Sequence, residues 1–307
     1  MNATLDSSLA KYQPTPLFDP VWEAPTRNAL ARGLRAVLIE RRLPYVVERR
    51  IEKWLCNIGL RERTVSAAGY KVSCRRASMD EVFIDSVLVR EEYFNFHPGF
   101  RPCPGDTVID VGANIGAFAL VAAKYVGPSG KILSIEPHPD NLRYLRRNID
   151  RNDLRNVRII DGGVSASRGR FSLYVSPESG LHSMLIDHGH GSIEIETYPL
   201  ADLMRESRIE TCDLLKVDCE GAEHDILPSI DAGTWRRIKR VAMEYTVPVR
   251  DWCFTSPKPE HVELKRSMAD RLVDILVKNG FAIDGYYDCV GHRSGYVFAT
   301  AAPGITM

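Results

Sequence analysis

Residues 106–116 read D-T-V-I-D-V-G-A-N-I-G, and Glu136 follows twenty residues after the last of these glycines. The β-branched run Val108, Ile109, Val111 leads into Gly112 and Gly116 and then into the apolar segment Phe118 to Val126, a pattern of buried strand, tight turn and helix. Glycines at 112 and 116 admit backbone angles closed to other residues and let a ligand approach the main chain, while the helix N-terminus offers unpaired N–H groups. The next apolar run, Lys131 to Ile135, ends at Glu136, where a carboxylate can accept from both hydroxyls of a ribose. The stretch predicts a nucleotide-cofactor crevice.

Charge selects the cofactor. A dinucleotide site uses G-x-G-x-x-G and sets a pyrophosphate on the helix N-terminus. Here the spacing is G-x-x-x-G, and the turn carries Asp110 with no nearby Lys or Arg. An anion would be repelled, whereas S-adenosylmethionine brings a cationic ammonium and sulfonium together with a ribose for Glu136. The G-x-x-x-x-G-K-[ST] signature is absent, which argues against a P-loop nucleotide hydrolase.

With 44% hydrophobic and 26% charged residues among 307, the chain can bury a large core. Basic and acidic residues balance at 40 each, so no global field points to nucleic acid or a membrane. Seven cysteines, an odd number without a C-x-x-C pair, predict reduced thiols acting as small buried hydrophobes, and no zinc site. The first thirty residues hold no apolar run of signal-peptide length, and the apolar stretch at 117–123 falls far short of a bilayer span. The expectation is a cytoplasmic protein.

From 106 onward, strand and helix patterns alternate as in a parallel sheet covered on both faces, an α/β fold. Strands are expected near 106–111, 131–135, 157–160, 213–217 and 239–244, with helices near 116–126, 138–151, 199–206, 220–230 and 233–238. A long helix at 259–279 precedes two strands, 281–287 and 295–301, read as a hairpin at the sheet edge. Residues 163–197 read as an insertion with its own short strands around a Ser/Gly/His-rich loop. Residues 1–77 are set apart from the 78–307 domain. They comprise a Pro-rich arm, a helical hairpin (helices over 26–43 and 45–58) and a strand pair over 63–75 turning at Ala68-Gly69. Between 26 and 65, nine arginines and one lysine face four glutamates, which suits a solvated helix face or an anionic contact. The striped hairpin is compatible with a homodimer.

In an open parallel sheet the ligand lies past the carboxyl ends of the strands. That shortlist holds Asp110 to Gly116, Glu136, Asp161 as an acceptor for an adenine amino group, and the segment L-L-K-V-D-C-E-G-A-E with Lys216, Asp218, Glu220 and Glu223. Asp218 stands out as a chemical group; Glu220 and Glu223 read equally as substrate contacts or as helix-capping acids. Strand five closes on Glu244 and Tyr245, which face the cofactor edge as a hydroxyl-binding carboxylate and a substrate wall, and Tyr93 sits in an aromatic cluster just before the first strand. His182, in the inserted loop, is a candidate general base beside Asp218. His188 and His190 lack a third ligand, so no metal is expected. Trp252 and Phe254 suggest an apolar or ring-bearing substrate.

The motifs D-T-V-I-D-V-G-A-N-I-G, S-I-E-P-H-P followed by N-L-R-Y-L-R-R-N, and L-L-K-V-D-C-E-G-A-E resemble those of the FkbM-type family of S-adenosylmethionine-dependent methyltransferases over residues 78–300. The resemblance implies the class I methyltransferase (Rossmann-like) fold, a seven-stranded, mostly parallel sheet with an antiparallel last strand, and O-methylation of hydroxyls on sugars or secondary metabolites. By position it implies that Asp110, Gly112, Asn114, Gly116, Glu136 and Asp161 hold the cofactor and that the segment from Asp218 to Glu223 borders the substrate. The expected partner is a small-molecule acceptor with a hydroxyl. A nucleic-acid methyltransferase is the alternative suggested by the Arg-rich hairpin, against which stands the absence of [DN]-P-P-[FYW]; a non-catalytic cofactor-binding scaffold is a third reading.

Overall fold

In the computed structural model, residues 15–17, 45–253 and 255–303 are described. The decisive stretch forms β4 (Thr107–Val111) and α4 (Ala117–Val126), followed by β5 (Lys131–Glu136), α5 (Pro139–Arg151) and β6 (Val157–Asp161). After an inserted region come α6 (Leu200–Glu206), β10 (Leu214–Val217), α7 (Glu223–Ser229), α8 (Ala232–Trp235) and β11 (Arg240–Thr246). The chain then runs through α9 (Pro259–Lys278), β12 (Phe281–Cys289) and β13 (Ser294–Ala301).

The strands form a sheet of order β12-β13-β11-β10-β4-β5-β6, parallel except for β13, which lies antiparallel between β11 and β12. A short β1 (Thr15–Leu17) adds in parallel to the outer edge of β12. The last hairpin is thus not a simple edge ribbon: its second strand is inserted into the sheet.

Side chains alternate across the strands, so each strand feeds two cores. Val108, Ile132 and Leu214 pack with α4 and α5, whereas Ile109, Val111, Leu133 and Leu215 pack with α6, α7 and α9. Helix α4 is apolar almost all round, with eight of its ten residues buried, as expected of a helix enclosed on every side. Two glycines set the turn between β4 and α4. Gly112 (φ +81°) is so close to β10 that an added Cβ would lie 1.8 Å from the Asp218 carbonyl oxygen, and Gly116 (φ +92°) caps α4 against Leu145.

The preceding segment contributes α1 (Tyr45–Asn57), the hairpin β2 (Glu62–Ala67) and β3 (Tyr70–Arg75), α2 (Asp80–Phe83) and α3 (Glu92–Phe96). After α2 the helix widens into a π-turn at Ile84–Val89, closed by Arg90 N–H on the Asp85 carbonyl at 2.8 Å. The expected helix at 26–43 and Phe254 lie outside the described residues.

Two asparagines, Asn148 of α5 and Asn152 just past its end, bind β3 as another strand would. Asn152 and Asn148 exchange hydrogen bonds with the main chain of Lys71 and Ser73, and Asn148 also donates to the Ile115 carbonyl at 2.8 Å. Ala67, Val72 and Cys74 share a core with Val108 and Leu120, across the boundary expected at 77/78.

The insertion is a small sheet, β7 (Gly163–Val164), β9 (Ser192–Tyr198) and β8 (Gly169–Tyr174), with a long loop between β8 and β9. Cys74, Cys212 and Cys289 are buried as expected, but Cys103 and Cys253 are exposed. Among the described residues no helix is long and apolar enough to cross a membrane.

Candidate active site

A cavity of about 410 Å³ opens past the carboxyl ends of β4, β5, β10 and β11. Gly112, Asn114 and Glu136 form its floor, Asp218, Glu220 and Glu244 one wall, and Phe83, Tyr93, His182 and Arg293 close it from outside the parallel core.

Glu136 ends β5 almost fully buried. Its Oε2 accepts Asn114 N–H at 2.7 Å, and its Oε1 accepts His138 N–H at 2.8 Å and the Asn141 amide at 3.3 Å. Burial pushes its carboxyl up to about 7 against these bonds. A carboxylate has about four lone-pair directions; three are engaged, leaving one on Oε2 for a ribose hydroxyl. The sequence expectation of two hydroxyls on this residue therefore needs Asn141 to yield its longer bond. Asn114 Oδ1 is buried without a hydrogen-bond partner, an acceptor that fits a cationic ligand. The residues present fit S-adenosylmethionine.

Beneath the turn lies a cation that the linear motif does not show. Lys216 of β10, 3% exposed, reaches Asp110 Oδ1 at 3.2 Å, Asp218 Oδ2 at 3.4 Å and the Gly112 carbonyl at 2.9 Å. Burial opposes its charge, but Asp110 and Asp218 outweigh burial and hold it protonated. Asp110 is itself fully buried and outside the cavity lining, so its role is to anchor Lys216 and not to touch a ligand. The turn is consequently less anionic than its sequence suggests.

Asp218 receives the Tyr93 hydroxyl on Oδ2 at 3.1 Å. Burial, followed by Asp218 and Glu244, keeps the Tyr93 hydroxyl well above its ordinary pKa, so it remains a donor. Both Tyr93 and Lys216 engage Oδ2, and Asp218 lines the cavity. Glu244 also lines the cavity; burial and the neighbouring Asp218, Glu92 and Glu220 raise its pKa well above the usual carboxylate range, which favours its neutral form. Glu220 pairs with Arg293 at 3.3 Å and is pushed up to about 7 by burial.

Several expected residues are placed elsewhere. Glu223 is completely buried, accepting Thr246 N–H at 2.5 Å and Gly221 N–H at 3.0 Å; it ties the start of α7 to the end of β11 and does not border the cavity. Tyr245 points to the opposite face of β11, into the core, with its hydroxyl on the Tyr287 carbonyl at 3.5 Å. Asp161 is exposed, pairs with Arg146 at 3.4 Å and does not line the cavity. Trp252 is buried with its indole N–H on the Gly291 carbonyl, also outside the lining.

His182 does line the cavity, but its Nδ1 accepts Ser176 N–H at 3.0 Å, so the proton of the neutral ring sits on Nε2. It stacks on His138 at 3.7 Å, and burial, then that neighbour, lowers its pKa to about 3. A ring in that tautomer donates from Nε2 and has no free lone pair for a proton, which corrects the expected base role. Sequence reasoning missed Phe83, Arg293 and Asn141. Only Asn141 carried a local signal, as the first residue of N-L-R-Y-L-R-R-N.

The inserted antiparallel β13, the glycine turn on β4 and the buried carboxylate ending β5 define a class I S-adenosylmethionine-dependent methyltransferase. The chain belongs to the FkbM methyltransferase family, whose methyltransferase FkbM domain matches residues 110–283. It is similar to methyltransferase sdnD of Sordaria araneosa, 32% identical over 174 residues, which cover 46% of this chain and 66% of that protein, just under two thirds of its length. It is also similar to the 31-O-demethyl-FK506 methyltransferase FkbM of Streptomyces tacrolimicus, 29% identical over 196 residues covering 53% of this chain and 72% of that protein. A crystal structure of methyltransferase FkbM from Methylobacillus flagellatus superposes with a TM-score of 0.43 at 16% identity, covering 72% of this chain and 53% of that one.

Proposed function

We propose that the protein transfers a methyl group to a hydroxyl of a small molecule, with Asp218 orienting that hydroxyl and taking its proton. The observation that carries this reading is the one-sided engagement of Asp218: Tyr93 and Lys216 both hold Oδ2, and Asp218 lines a cavity that the glycine turn also lines. S-adenosylmethionine, when bound, supplies a methyl carbon activated for in-line displacement by its sulfonium.

The protein's own part is alignment and exclusion of water, and positioning of this kind supplies several kcal/mol, up to about ten. Lys216 and Tyr93 hold Asp218 Oδ2 and fix the plane of its carboxyl group, and Glu244 offers the acceptor a second polar contact from the same lining. Phe83, Phe118 and Tyr296 line the same space with apolar surface, which suits a partly apolar acceptor. Six carboxyl groups, Glu92, Glu136, Glu178, Asp218, Glu220 and Glu244, against Lys216 and Arg293 disfavour an anionic one.

Within the basic segment Arg63 is held internally, pairing with Glu52 and Glu81, while Arg50 and Arg61 stay exposed on the surface and do not line the cavity. The test is methyl transfer from labelled S-adenosylmethionine to a panel of neutral glycosides, phenols and uronates, run with wild type and Asp218→Asn. Transfer to a neutral hydroxyl that Asp218→Asn abolishes supports the proposal; transfer only to nitrogen acceptors, or undiminished in Asp218→Asn, refutes it.

A further inference from the structure

The loop between β8 and β9 and the α2 segment face each other across one side of the cavity, with Glu178, Gly180, Leu181 and His182 on one bank and Met79, Phe83 and Ser86 on the other. What joins them is a closed circuit of hydrogen bonds that begins at the ribose carboxylate. Asn141, 3% exposed, donates to Glu136 Oε1 at 3.3 Å and to the Ser179 carbonyl at 3.1 Å, while its Oδ1 accepts Arg75 Nη2 at 2.6 Å. Arg75 grips Asp80 through Nε at 2.9 Å and Nη2 at 2.9 Å, and Asp80 Oδ1 accepts the Ser179 hydroxyl at 2.7 Å. Asp80 is wholly buried.

We infer that Asp80, Asn141 and Ser179 are positioning residues that clasp the β8–β9 loop over the bound cofactor, so that cofactor release requires the loop to part from α2. The attachment is polar in kind. Between residues 175 and 185 the buried residues are Ser176, Ser179 and Ser183, and the last donates its hydroxyl to the Glu220 carbonyl at 2.7 Å. A segment held by hydroxyls, with little apolar side chain buried, opens at lower free energy than a packed core element. Asn141 gives the clasp its link to the ligand, since it divides its amide between the ribose carboxylate and the loop. Fit between the banks is close: a Cβ on Gly180 would fall 2.2 Å from the Phe83 ring, although the φ of Gly180 is not positive and its backbone is open to alanine.

The inference goes beyond the proposed acceptor chemistry and does not depend on it, so its test uses S-adenosylhomocysteine alone. Dissociation of that ligand is measured by stopped-flow fluorescence, with calorimetric affinities, for wild type, Ser179→Ala, Gly180→Ala and the double variant Gly180→Ala with Phe83→Leu. Losing one hydrogen bond of the clasp in Ser179→Ala should speed release by about two- to tenfold, with the association rate unchanged. Gly180→Ala, which wedges the loop off Phe83, should speed release further, and trimming Phe83 in the double variant should bring the rate back toward wild type, a rescue that a general folding defect would not show. Wild-type release rates in Ser179→Ala and Gly180→Ala overturn the clasp; if Gly180→Ala does not fold, Ser179→Ala decides alone. Failure of the wild type to bind the ligand would instead overturn the cofactor assignment itself.

Discussion

Lys216 of β10 and Asp110 of β4 form a buried ion pair, 3.2 Å apart, directly beneath the glycine turn that faces the cofactor. The register that places Lys216 opposite Asp110 is that of two parallel central strands, so the pair is a property of the sheet and not of either motif. Leaving one member of such a pair uncompensated costs about 3–5 kcal/mol. Lys216→Met should therefore lower the urea midpoint by that equivalent and weaken S-adenosylhomocysteine binding, with Lys216→Met/Asp110→Asn recovering part of the stability. An unchanged midpoint in the single variant would show that the pair contributes nothing net.

Gly112 has no room for a side chain, because the Cβ would meet the Asp218 main-chain oxygen at 1.8 Å. Its positive φ alone makes a non-glycine residue cost about 1–3 kcal/mol. Gly112→Ala should lower the melting temperature and abolish calorimetric binding of S-adenosylhomocysteine, since the turn and the end of β10 must separate to admit the methyl group.

Two carboxyl groups on one wall are expected to respond oppositely to amide substitution. Burial and acidic neighbours raise the Glu244 pKa well above the usual carboxylate range, a shift toward the neutral form that Glu244→Gln imitates, so this variant should stay within a few-fold of wild-type kcat. Removing the proposed proton acceptor in Asp218→Asn should lower kcat by about 10²–10⁴. A larger loss in Glu244→Gln than in Asp218→Asn would transfer the base role to Glu244.

Glu136, pushed up to about 7 by burial, is protonated below that pH and ionised above it. Only the ionised form offers both oxygens as acceptors while keeping the bonds from Asn114 and His138. Affinity for S-adenosylhomocysteine should therefore rise between pH 6 and pH 8, an interval of about one unit either side of that value, and Glu136→Gln should bind more weakly with little pH dependence. Affinity that falls across this interval in wild type would contradict the assignment.

The order of strands and helices from 107 to 301 was legible because it rests on near-neighbour properties: β-branched runs, glycines that end them, and helical spacing of apolar residues. Glu136 was legible for the same reason, since a residue that ends a parallel strand beside a glycine turn has one direction to point. Asn141, five residues on, shared that motif but became meaningful only when its amide was seen between Glu136 and Ser179.

What the sequence by itself determined, then, is the alternating α/β architecture and the cofactor edge with Gly112, Asn114 and Glu136. Tertiary structure alone decided where each rim carboxyl group is placed. Asp218, Glu220 and Glu223 lie within six residues, yet one faces the cavity beside Tyr93, one pairs with Arg293, and one is sealed between Gly221 and Thr246. Those partners are distant in sequence; Tyr93 and Asp218 are 125 residues apart. The same holds for His182, whose tautomer is set by the Ser176 amide, and for Tyr245, turned to the core by the two-residue alternation of β11. Local pattern specifies backbone course, but charge, proton position and facing depend on which distant groups the fold brings within about 3 Å, the reach of a hydrogen bond.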